Sequence, residues 1–160
     1  MSGDEQVFKE KNRLVKKLRD AKKAHRRWVS NAQILMEGIP VKNDQLPLND
    51  TECGFGQWYY SEGQALRGYS VFREIEPHHQ RLHSLYLQIF RLLFNDRKRS
   101  FFDRLLGRKA EPSPEDLAQA QALIAELNGE SMRIMELLDR LEEVIKKMDA
   151  HDFHRLFLNG

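Results

Sequence analysis

His25, Cys53, His79 and His83 are the residues of this chain whose types and spacing point most directly to a metal site. His79 and His83 are four apart, so on a helix both rings leave one face and two imidazoles can reach one ion. His25 adds a third nitrogen from a distant segment. Cys53, the only cysteine, stands in ECGFGQWYY at residues 52 to 60. A lone cysteine forms no internal disulfide, which leaves filler, reactive thiol or metal ligand. Three nitrogens and one thiolate are a closed tetrahedral set that suits zinc. The blander reading is a chance i,i+4 histidine pair, a satisfied core histidine and a filler thiol. Each interior imidazole then needs a hydrogen-bond partner, since burial without one costs roughly 1–3 kcal/mol.

The elements that would position these residues are helices. From Leu14 the apolar positions run Leu14, Leu18, Ala21, His25, Trp28, Ala32 and Leu35, one helical stripe in which histidine takes a core place. Gly38 and Pro40 end it. Residues 38 to 52 read as a crossing loop. Asn49, Asp50 and Thr51 are good N-caps, so a short helix is expected to start there and run to Gly63. Cys53 would lie in its first turn, where the helix dipole favours thiolate. After Gly68 a third helix carries Phe72, Ile75, His79, Leu82, His83, Tyr86, Ile89, Phe90 and Leu93 on a broad face. Residues 95 to 113 break the pattern, with a short helical piece expected at 100 to 106. Ser113 then caps a helix over about 114–149, with Pro114 first and Asp116 near capping-box position. Its stripe is Leu117, Ala120, Ile124, Leu127, Ser131, Ile134, Leu138, Leu141, Ile145 and Met148. No strand pattern competes. The expected fold is all-α, a four-helix bundle in one domain over 1–160.

Composition narrows the function. With 160 residues, 41% hydrophobic and a net charge of +2, the chain is long enough for a core and too near neutrality to announce nucleic acid. No apolar run reaches the ~18 residues a membrane span needs. The opening MSGDEQVFKEKNR has no signal-peptide core, and together with one cysteine this points to the reducing cytoplasm.

Three motifs in order, His25-Arg-Arg-Trp28, Cys53-Gly-Phe55-Gly56-Gln-Trp58 and His79-Gln-Arg-Leu-His83, resemble the signature of the chemoreceptor zinc-binding domain family. The similarity covers residues 8 to about 95. It implies a dimerising four-helix bundle with zinc held by His25, Cys53, His79 and His83. It also implies a regulatory role, since such modules usually accompany a chemoreceptor signalling region or a diguanylate cyclase. Neither stands in these 160 residues, so the output partner stays open. On this reading Cys53 is the soft ligand, Gly54 and Gly56 let the backbone turn closely around it, and Trp58 packs the helix onto the bundle.

Two classes of function compete. One is a zinc sensor, with a response to zinc level or to oxidants such as hypochlorous acid through Cys53; a structural zinc in an adaptor protein is its close alternative. The other is a zinc enzyme, disfavoured because four ligands leave no open position and Gln80, not glutamate, follows His79. Other features read as surface. His78 points about 100° away from His79, and His151 and His154 with Asp152 are a weak second metal set. The basic stretch 97–109 reads as a solvated connection, with an anionic lipid surface or a partner as its alternative.

Overall fold

The computed structural model describes residues 3–38, 49–94, 105–106 and 111–158. Among them are five helices and no strand: α1 (Gly3–Met36), α2 (Gly54–Tyr59), α3 (Ser70–Leu93), α4 (Pro114–Lys147) and α5 (Ala150–Phe157). A 3-10 turn over Glu62–Leu66 links α2 to α3. The all-helical expectation holds. The long members are three, and α5 was not anticipated.

Helix α1 begins well before Leu14, with Asp4 and Glu5 in its first turn and Val7 already buried. Acidic residues there oppose the positive end of the helix dipole. Every residue of the stripe from Leu14 to Leu35 is buried. The helix stops at Gly38, whose φ of 75° is the left-handed conformation that glycine adopts without strain and whose N–H bonds to Leu35 O. Pro40 and most of the expected crossing loop lie outside the described residues, as do the piece expected at 100–106, apart from Leu105 and Leu106, and most of the basic stretch 97–109.

Helix α4 is the spine, packing along both α3 and α1. It opens with the expected capping box: Ser113 Oγ accepts from Asp116 N and Asp116 accepts from Ser113 N. Its last carbonyls, of Lys146 and Met148, take hydrogen bonds from Lys11 Nζ of α1. Asp149 then caps α5, whose Phe153 is fully buried. No helix is long and apolar enough to cross a membrane among the described residues.

The α2 segment is bound to α3 by aromatic packing. The Tyr59 ring stacks on Phe72 at 4.2 Å and its hydroxyl donates to Phe72 O at 2.9 Å. Gly63 fits beneath Trp58 and Phe72, where a Cβ would come within 2.9 Å of Trp58 O. Pro77 sits inside α3 on its exposed side, so the carbonyl it leaves without a helical donor faces water. Two residues later the same helix turns His79 inward.

Candidate metal centre

His25 comes from the middle of α1, His79 and His83 from successive turns of α3, and Cys53 from the start of α2. All four are buried. The ligand-capable atoms of the three histidines lie within 4.8 Å of one another. Cys53 Sγ joins through His79, 3.3 Å from its Nε2, and His83 Nε2 lies 3.2 Å from that same nitrogen.

Two observations bear on whether this set suits a metal. Zinc bonds of about 2.0–2.3 Å in tetrahedral array separate ligand atoms by about 3.3–3.8 Å; the sulfur–nitrogen spacing of 3.3 Å falls at that range's lower edge and the nitrogen–nitrogen spacing of 3.2 Å just below it. Second, His79 Nε2 has one in-plane position, for either a lone pair or a proton, yet meets a sulfur and a nitrogen at hydrogen-bond distance. One hydrogen bond satisfies only one of those contacts. A cation between the three atoms satisfies both.

The histidines are held in the form a metal needs. His25 Nδ1 lies 2.7 Å from Ala21 O, so this nitrogen carries the proton and Nε2 keeps its lone pair. Burial lowers the pKa of His25 against the opposing pull of the Ala21 bond. Burial, with the neighbouring His25 and His83, pushes His79 down to about 2. Both rings therefore stay neutral near pH 7. Aromatic rings wall the imidazoles: Phe55 meets His79 edge-on at 5.0 Å and His25 at 5.8 Å, and Trp28 meets His83 at 4.4 Å. Such packing fixes the ring orientations.

Cys53 departs from expectation in two ways. It is not in the first turn behind a cap at Asn49, Asp50 or Thr51; it is the N-cap, its sulfur accepting from Gly56 N at 3.1 Å. Its thiol is also not shifted toward thiolate by the helix start. Burial pushes its pKa up, outweighing the N–H groups of Gly56 and Phe55 that pull it down. A short helix has little dipole, and the low-dielectric cost of the anion wins. A bound divalent cation reverses that balance, because a coordinating thiol is deprotonated.

The two glycines of the motif also differ. A Cβ on Gly56 would stand 1.7 Å from Asp50 O, so only glycine fits beneath that carbonyl. A Cβ on Gly54 would meet nothing within 4 Å, so close packing does not require glycine there.

The remaining histidines fall elsewhere. His78 leaves the site and pairs with Glu130 of α4 at 2.6 Å. His151 and Asp152 gather with Asp149 at the exposed start of α5, whereas His154 does not join them. Sequence reasoning missed Phe55 as a wall of the site, although its place two residues after a candidate ligand was a signal. An open groove of about 620 Å³ runs along α1 to His25 and Cys53 and is flanked by Arg13, Lys17 and Arg27.

Residues 25–90 match the family model of the chemoreceptor zinc-binding domain, and all four clustered residues fall inside that span. This segment belongs to that family. Zinc is accordingly the cofactor, and a zinc-binding regulatory role follows at the level of the family. No curated protein and no solved structure matches the chain.

Proposed function

We propose that this protein is a zinc-responsive regulatory module holding one zinc ion per chain through His25, Cys53, His79 and His83. The observation that carries this is the convergence of three buried imidazoles, those of His25 and His79 held neutral, and one buried thiol, with no carboxylate joining the histidines among the described residues. When bound, zinc supplies the charge that makes the thiolate stable and cross-links α1, α2 and α3. The chain's own part is to keep His25 and His79 unprotonated, to aim His25 through Ala21 O, and to shield the rings with Phe55 and Trp28.

The whole chain acts on this reading as one domain that pairs as a homodimer, with a signalling protein as the reader of its packing. A regulatory role is favoured over catalysis because four donors fill a tetrahedral shell and Gln80 offers no general base beside His79. The groove that reaches Cys53 gives small oxidants a route to the sulfur, which supports a redox response, with zinc leaving as the thiolate is oxidised. A structural zinc in an adaptor protein is the second reading, favoured by how completely the site is buried.

Elemental analysis of the purified protein tests the binding claim. About one zinc per chain is expected in the wild type and almost none in the His79→Ala/His83→Ala variant. Full occupancy in that variant contradicts the ligand set. Release by chelators within minutes favours the sensor; retention for hours favours the structural reading.

A further inference from the structure

The sulfur arm of the site is anchored from outside by a side chain that touches no candidate ligand. Tyr60 is the C-cap of α2, at the opposite end of that helix from Cys53. Its hydroxyl reaches back to Asp50 Oδ2 at 3.0 Å. The same hydroxyl lies 3.2 Å from Glu76 Oε1 and 3.4 Å from Gln80 Nε2. Glu76 and Gln80 flank His79 on α3, three residues before it and one after.

Asp50 is the residue whose backbone carbonyl shapes the turn around the sulfur. That carbonyl faces Cys53 Sγ at 3.3 Å and covers Gly56 so closely that no Cβ fits. The turn is therefore gripped at two points: its carbonyl is seated on Gly56, and its carboxylate is held by Tyr60. Through Gln80, whose amide donates to the same hydroxyl, the second grip reaches the helix that carries His79. One phenolic hydroxyl thus ties the cysteine arm to the histidine arm on the solvent side of the site.

We infer that Tyr60 is a positioning residue for the sulfur ligand, holding the Asp50–Cys53 turn in register with His79 through its hydroxyl. This rests on Cys53 being a ligand. The hydroxyl can donate to one carboxylate at a time, and Gln80 can donate to it, so the contact with Asp50 is a single hydrogen bond supported from behind. Losing a partner of this outer kind costs a metal site about tenfold or more in affinity. Because Tyr60 is partly exposed, the low end is expected here, about three- to tenfold.

The test is a double-mutant cycle on the full chain, made with Tyr60→Phe, Cys53→Ala and the double variant. Zinc affinity comes from competition with a chromogenic chelator, and the sulfur–metal bond is read from the thiolate-to-cobalt charge-transfer absorption of cobalt-loaded protein. Tyr60→Phe should weaken zinc binding about three- to tenfold and diminish or shift the charge-transfer band. It should change nothing further in the Cys53→Ala background. Asp50→Asn, which keeps an oxygen for the hydroxyl, should retain the wild-type band. A general structural role for Tyr60 would instead weaken binding equally in both backgrounds, and that result overturns the inference, as does a Tyr60→Phe protein with unchanged affinity and band. If Cys53→Ala itself leaves affinity and band untouched, Cys53 is no ligand and the proposed function falls together with the inference.

Discussion

Two buried polar clusters lie along α1, on different sides of the helix, and they solve the problem of burial in opposite ways. Toward α4, Glu142 is buried with a carboxylate that meets Arg19 at 2.7 Å, Lys146 at 2.7 Å and Lys22 at 3.3 Å. Hydrogen bonding to Arg19, helped by Lys146 and Lys22, holds its pKa near 2. That cluster carries its own counter-charges. Toward α2 and α3, His25, Cys53, His79 and His83 sit together, with His25 and His79 held neutral and the thiol raised by burial, and among the described residues no carboxylate joins the three histidines. The first cluster is complete within the chain. The second brings nitrogen and sulfur donors together with no counter-charge among the described residues, the arrangement a cation would bridge. Equal burial therefore does not mean equal role: whether the chain has supplied the compensating charge is what separates a structural polar cluster from a binding site.

The largest expected effect breaks the second cluster alone. Zinc at a hundredfold excess over its Kd stabilises the folded state by about 2.7 kcal/mol, which for a chain of this size is a rise in Tm of about 5–10 °C. Calorimetry should show this rise in the wild type, none in His79→Ala/His83→Ala, and a full rise in Glu142→Ala. Next in size is the contrast between the two glycines beside the sulfur. Gly56→Ala drives a methyl into the Asp50 carbonyl and should cost about 2–3 kcal/mol in denaturant unfolding, whereas Gly54→Ala should stay within about 0.5 kcal/mol. Similar costs at both positions would mean that the Asp50 carbonyl does not sit over Gly56. Smaller again is the self-compensated cluster. Arg19 and Lys146 are half-exposed and return to water when released, so Glu142→Ala should cost about 1–2 kcal/mol and leave zinc affinity unchanged.

The smallest effect is in acid, and it separates the clusters by pH. In chelated protein, burial holds His25 and His79 below the usual 6.5, so the unfolded chain takes up those protons first and stability falls as pH drops below about 6.5. Glu142 is held near 2 against 4.5, so its contribution is complete above pH 4.5 and is lost as pH falls toward 2. Glu142→Gln should flatten the lower part of the stability curve only. A curve flattened throughout would show that the two clusters are coupled.

Much of this was legible in the chain because helical periodicity carries burial directly. The α1 stripe from Leu14 to Leu35 is buried residue for residue, and the histidines stood out as polar letters in core places. The capping box of α4 was legible for a similar reason, since it is a local pattern of fixed spacing. What was not legible depends on tertiary context. Glu142 follows Leu141 outside the expected stripe, and only the approach of Arg19 and Lys22 from α1 lets a carboxylate be buried there. Helix α5 was hidden because its one deep anchor, Phe153, has meaning only against a core assembled from distant segments. The state of the Cys53 thiol was misjudged because a place in a helix's first turn suggests thiolate, while burial, which sequence does not reveal at a loop–helix junction, pushes the other way.

The central claim is that one zinc ion is held by three imidazole nitrogens and the Cys53 sulfur. X-ray absorption at the zinc edge, on protein loaded with one equivalent, reads that shell directly. The account predicts three nitrogen scatterers near 2.0 Å and one sulfur near 2.3 Å, roughly the usual zinc bond lengths, with the sulfur absent in Cys53→Ala. A wild-type shell of nitrogen and oxygen alone, or one unchanged by Cys53→Ala, would contradict it.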